Sequence, residues 1–187
     1  MKIAVFCASA NNIDSNFFKD AQKLGEQIGK LGWQLIYGGT DQGLMREVAL
    51  ATIEHGGTIT GIIPECIYKQ GVAAKYLDHL IIASDMKERK HLLRENATAF
   101  IALPGGWGTL EEITEVITLK QLGEHQKPIV FVNTDGFYNE LMLFIDAIQQ
   151  KGFVPSAYDK LYQVVDNAEE AILYLSNYVV EKIENKY

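Results

Sequence analysis

Short apolar runs recur along the chain at positions 3–7, 34–37, 58–63, 80–83, 99–103, 129–132 and 161–165. Between them the period lengthens. Phe17, Ala21, Leu24, Ile28 and Leu31 step by four, three, four and three, which places one apolar stripe along a helix. Asp14 or Ser15 stands ahead of that stripe as a cap. Leu141, Phe144, Ile145 and Ile148 repeat the pattern before Gly152. Several of the short runs are apolar at consecutive positions, so both faces of those strands need cover. Such strands alternating with amphipathic helices predict a doubly wound α/β fold, a mostly parallel sheet with helices on both faces. No linker, repeat or low-complexity tract divides the sequence. Residues 1–187 therefore read as a single α/β domain, with polar residues 182–187 frayed at the end.

Composition narrows the partners. A chain of 187 residues, 48% hydrophobic, suffices for a full core without staples. The net charge of −7 argues against nucleic acid as a partner, because backbone binding needs a basic surface. A small anion is still acceptable, since a local cluster of donors outweighs the global sign at short range. Cys7 and Cys66 have no metal-like spacing to His55, His79, His91 or His125, so they read as reduced thiols and no metal site is expected. No apolar run approaches the roughly 20 residues of a membrane span, and "MKIAVFCASANN" breaks too soon for a leader. The expected setting is the cytoplasm, with no membrane partner.

In doubly wound folds ligands collect at the carboxyl ends of strands, where loops meet helix amino termini. Four such ends stand out. After run 99–103 comes Pro104-Gly105-Gly106-Trp107-Gly108-Thr109, then a helix expected over 109–121. Glycines let main-chain N–H groups converge, and the helix start adds unpaired donors, a combination suited to phosphate with the Thr109 hydroxyl as a further donor. Glu111, Glu112 and Glu115 follow. Glu111 fits an acid placed to complement the helix dipole, whereas Glu112 shares a stripe with Val116 and Leu119 and borders apolar surface. The second end, "SDMKERK" at 84–90, carries a capping-box pattern in Asp85 and Glu88 that starts a helix at Met86. Arg89 and Lys90 then oppose the dipole of its first turns, which points to an anionic partner. The third is "YGGTDQGLM" at 37–45, with Gly38 and Gly39 at the turn. The fourth is "CASANN", where Ser9 or Asn11 could donate to a ligand. No G-x-G-x-x-G follows the first run and no Gly-Lys-Ser/Thr is present, so neither a dinucleotide fingerprint nor a Walker loop accounts for the glycines.

Taken together these segments resemble the Lonely Guy family of cytokinin riboside 5′-monophosphate phosphoribohydrolases, some members of which carry the older label "possible lysine decarboxylase". "PGGWGTLEE" is similar to the family's P-G-G-x-G-T-x-x-E, "DMKERK" to its D-M-x-x-R-K, and "YGGTDQGLM" to its Gly-Gly…Gly-Leu-Met segment. The resemblance implies a Rossmann-like fold, a homodimer with sites near the interface, and hydrolysis of the base–ribose bond of a nucleoside 5′-monophosphate, AMP or a cytokinin riboside monophosphate. It gives the catalytic roles to Arg89 and Glu112. Strand ends and resemblance together give a substrate site of Ser9, Gly39, Met86, Arg89, Lys90, Gly105, Gly106, Trp107, Gly108, Thr109, Leu110, Glu111 and Thr118, with no cofactor. Arg46 stands where the family usually has a glycine, Ala8 replaces a common glycine, and "ECIYKQGVAAKYLDHL" lacks the acidic residue of the plant members. Two other readings use the same residues: a nucleotide-binding or carrier protein without turnover, and a pyridoxal-phosphate decarboxylase in which Lys90 forms the Schiff base.

Overall fold

The computed structural model describes residues 1–155 and 160–180; the frayed end expected at 182–187 lies outside them. Seven strands form one sheet: β1 (Lys2–Phe6), β2 (Gln34–Tyr37), β3 (Thr58–Pro64), β4 (His79–Ala83), β5 (Ala99–Ala102), β6 (Ile129–Val132) and β7 (Gln163–Val165). Every pairing is parallel, in the order β4-β3-β2-β1-β5-β6-β7. Among the described residues there are seven α-helices, six between successive strands and the last after β7: α1 (Ser15–Lys30), α2 (Gly43–Glu54), α3 (Glu65–Tyr68), α4 (Met86–Asn96), α5 (Trp107–Gln121), α6 (Asn139–Gln150) and α7 (Ala168–Ser176). This is the expected doubly wound, Rossmann-like architecture. The short α3 and a 3-10 turn at Thr134–Gly136 have too few residues to leave a periodic signal.

The pleat divides the core in two. Ile3, Val5 and Cys7 face α1, α2 and α7, whereas Ala4 and Phe6 face α4 and α5. Asp14 caps α1 by accepting from Asn16 N–H at 2.8 Å, and the predicted stripe buries Ala21, Leu24 and Ile28. The chain reverses its winding between β1 and β5, which are neighbours in space although four strands precede β5 in sequence. The loops after these two strands are tied together by Ala8 N–H donating to Pro104 O at 3.1 Å. The glycine corner therefore sits at the topological switch point, where such sheets open a crevice.

Two expectations about cover change. β4 lies at the sheet edge with Leu80 and Ile82 exposed, so its apolar run is not doubly buried. No residue of α6 is buried, and Phe144 within its predicted stripe is 63% exposed.

Candidate active site

β5 delivers the chain to the corner, and α5 begins at Trp107, two residues earlier than the sequence indicated. The cap residue is Gly106, in extended backbone, and it has no side chain with which to cap. The first bond into the helix is Leu110 N–H to Gly106 O at 3.1 Å. The amides of Trp107, Gly108 and Thr109 precede it and have no intrahelical acceptor. Gly106, Trp107 and Gly108 are exposed, so the Trp107 and Gly108 amides belong to an open corner of the surface, whereas Thr109 is buried. Gly105 has a different reason to be glycine: a β-carbon there would collide with the hydroxyl of buried Thr109. Because α5 starts early, Glu111 falls in its second turn, and the dipole explanation for this acid does not hold.

Arg89 reaches the corner by an indirect route. Sequence places β4–α4 and β5–α5 as consecutive units, but β3, β2 and β1 lie between β4 and β5. Helix α4 crosses back over β3, β2 and β1, and that crossing brings Arg89 against α5. Asp85 caps α4 from Glu88 N–H at 2.8 Å, and the Glu88 carboxylate accepts from Ser84 N–H at 2.7 Å, so the box closes one residue further back than the usual pattern. Arg89 is buried. Its Nη1 pairs with Glu112 Oε1, and its Nε donates to Ile62 O at 3.2 Å. Lys90 pairs with Glu111 and lies 3.5 Å from Glu115, which in turn meets Arg94 at 3.1 Å. The cations that seemed misplaced against the α4 dipole thus meet carboxylates of α5.

Burial pushes the Glu112 carboxyl above the ordinary glutamate range, and the Arg89 guanidinium pulls in the opposite direction without cancelling it. Lys90 is pushed up by its bond to Glu111, so its ammonium holds its proton. A Schiff-base lysine needs the reverse, a depressed pKa and a free amine. The Lys90 surroundings do not fit pyridoxal chemistry.

The remaining expected residues divide by position. Trp107 is 87% exposed and Met86 43% exposed, both on open surface at the amino ends of α5 and α4. Leu110 is partly buried against the α4–α5 core. Thr118 lies about three turns beyond the corner, with its hydroxyl donating to Thr114 O at 2.8 Å, and a single chain does not bring it to the other residues. Ser9 is exposed in the loop after β1. Asn11 has a local job, its side-chain oxygen accepting Gly43 N–H at 3.0 Å at the start of α2. Gly39 has φ +76° and packs beneath a strap at 72–77, which is held by Ala74 N–H to Gly39 O at 2.9 Å and Asp41 N–H to Val72 O at 3.0 Å. Arg46 is exposed and lies 3.6 Å from Asp41, which also accepts from Tyr76 OH at 2.8 Å. The Ile62 carbonyl and the Arg94–Glu115 pair were absent from the sequence reading, because neither motif nor period marks a main-chain oxygen or an interhelical contact.

A Rossmann-like sheet with an uncapped glycine-rich helix start at its switch point, and a buried carboxylate–guanidinium pair behind it, defines a class of α/β protein with a candidate site on the carboxyl edge. Sequence comparison makes the class specific. The chain belongs to the Lonely Guy family, whose family model, described as "Possible lysine decarboxylase", matches residues 45–175. A cytokinin riboside 5′-monophosphate phosphoribohydrolase of Arabidopsis thaliana is 38% identical over 178 residues, covering 95% of this chain and 84% of that one. Another from Oryza sativa subsp. japonica is 38% identical over 180 residues, covering 96% and 74%. Among solved structures, the Moco carrier protein from Chlamydomonas reinhardtii superposes with a TM-score of 0.71 at 24% identity over 94% of each chain. The molybdenum cofactor binding protein from Rippkaea orientalis gives 0.72 at 20% identity over 94% of each. At these identities the structural likeness establishes the shared fold.

Proposed function

We propose that this protein is a nucleoside 5′-monophosphate phosphoribohydrolase, splitting AMP or a cytokinin riboside monophosphate into free base and ribose 5-phosphate. The observation that carries the reading is the uncapped start of α5, with the amides of exposed Trp107 and Gly108 about one turn ahead of Glu112, which pairs with Arg89. Those amides hold the 5′-phosphate, with the Thr109 hydroxyl alongside, and the positive end of α5 favours the added charge. Binding of the phosphate sets the sugar over Glu112, so energy from the non-reacting end of the substrate positions the reacting one.

Cleavage puts positive charge on the sugar ring as the C–N bond breaks and its electron pair leaves with the base. Glu112 stabilises that charge and takes a proton from the water whose oxygen bonds to the anomeric carbon. The proton then goes to the departing base nitrogen. Arg89 orients the nucleotide and offsets charge on the leaving base through its guanidinium N–H donors. Ser9, Gly39, Met86, Lys90, Leu110, Glu111 and Thr118 complete the proposed substrate site, the last contributing from a second copy of the chain. The proposed assembly is a homodimer, which would also cover the exposed side chains of α6.

The second reading is a nucleotide-holding protein without turnover. One observation favours it: Glu112 is closed onto Arg89, with 7% of its side chain exposed. Incubation with AMP, with detection of adenine and ribose 5-phosphate, separates the two. Release supports the hydrolase, and binding without release supports the carrier. The protonated Lys90 gives the decarboxylase reading no footing.

A further inference from the structure

Gly38 and Gly39 follow β2 in tandem, yet they are glycine for different reasons. Gly39 has φ +76°, a conformation that side chains resist. Gly38 is not in the left-handed region, so its backbone would accept alanine. What its missing side chain makes room for is Arg89. A β-carbon at position 38 would stand 2.8 Å from Arg89 Nη2, 3.0 Å from Met45 Sδ and 3.2 Å from Met45 Cε. The guanidinium is thus bounded by the Ile62 carbonyl, the Glu112 carboxylate and the bare α-carbon of Gly38.

We infer that Gly38 is a positioning residue, its bare α-carbon setting where the Arg89 guanidinium lies against Glu112. This rests on the reading of Arg89 and Glu112 as the reacting pair. Both groups in the way of a β-carbon are tips of flexible side chains, so alanine displaces the guanidinium and leaves the fold in place. A displacement of order 1 Å in a catalytic group costs about 100-fold in rate, which sets the expected scale. The groups facing Glu112 are Arg89 and Lys90 from α4, Cys7 just after β1 and Glu111 on its own helix. Of these, Arg89 does most to lower the Glu112 pKa. Moving it away lets the carboxyl rise further.

The test is Gly38→Ala, alone and combined with Met45→Ala, assayed on AMP beside the wild type. The expected result is a kcat about 10- to 100-fold down with KM within about threefold. The acid limb of the kcat/KM profile should move to higher pH, and Met45→Ala should not restore the rate, because Met45 is not the group that matters. Unchanged kcat overturns the inference, and so does rescue by Met45→Ala, which would trace the loss to Met45. A crystal structure of Gly38→Ala gives a readout independent of turnover: a guanidinium shifted off the Ile62 carbonyl supports the inference, and an unmoved one overturns it. A wild type that releases no base refutes the hydrolase reading instead, while the crystal structure still decides the role of Gly38.

Discussion

Glu112 is the residue on which the proposed chemistry turns, and its surroundings make quantitative demands. Glu112→Gln removes the carboxylate but keeps shape and a hydrogen-bond partner for Arg89. Turnover should fall by about 10²–10⁴-fold, the usual worth of a positioned general base, while nucleotide affinity measured by calorimetry changes little. Equal loss of both would make Glu112 a structural residue. Burial raises the folded-state pKa of this carboxyl, so the folded protein holds the proton more tightly than the unfolded chain. Its contribution therefore favours folding in acid and fades as pH climbs through the raised pKa. The same shift places the acid limb of kcat/KM above the ordinary glutamate value of 4.5, since catalysis needs the carboxylate. A limb at or below that value in a pH–rate profile contradicts the assignment. The placement of Glu112 was legible from its stripe with Val116, which is buried in the α4–α5 core of the same chain. That Arg89 would meet it was not legible, because the contact depends on where α4 crosses the sheet.

At the scale of the helix, the question is what the start of α5 is for. The cap position, Gly106, is in extended backbone with nothing within 4 Å of a built β-carbon, so an aspartate fits there. Gly106→Asp would cap α5 with its own carboxylate, stabilising the fold by a few tenths of a kcal/mol in denaturant melts. The same carboxylate occupies the donors offered to the phosphate and repels it. A rise in stability together with a fall in kcat/KM of at least tenfold is the expected signature. Unchanged kcat/KM would mean those amides do not hold the substrate. On the other face, buried Asp20 of α1 accepts from the Thr134 hydroxyl and from Ala168 N–H at 3.3 Å at the start of α7. Asp20→Ala strands both donors and should cost about 1–3 kcal/mol by the same melts, with activity kept. The stripe of α1 and the caps of α1 and α4 were visible in the chain. The early start of α5 was not, because a glycine cap carries no side-chain signal to distinguish it from an ordinary turn.

At the scale of the whole molecule, strand–helix alternation sufficed for the architecture but not for the order of strands in the sheet. Parallel pairing is a long-range choice, and consecutive units need not be neighbours. Strand order is what leaves β4 at an edge with Leu80 and Ile82 exposed, although 80–83 reads as an apolar run like the others. It also bears on assembly. Leu143 and Phe144 of α6 are 61% and 63% exposed, apolar surface that a second copy would cover. Sedimentation should give twice the chain mass of 20.9 kDa, and Leu143→Glu with Phe144→Glu should halve it; a wild-type monomer at all concentrations contradicts the dimer. The central claim, that the amides of α5 grip a phosphate and thereby deliver a sugar to Glu112, is tested most directly by one comparison of release rates. Purified protein is given AMP or adenosine, and free adenine is measured under identical conditions. The account predicts adenine and ribose 5-phosphate from AMP, with kcat/KM at least about 10³-fold above that for adenosine, since the phosphate supplies the positioning. Equal rates from the two, or no adenine from either, would contradict it.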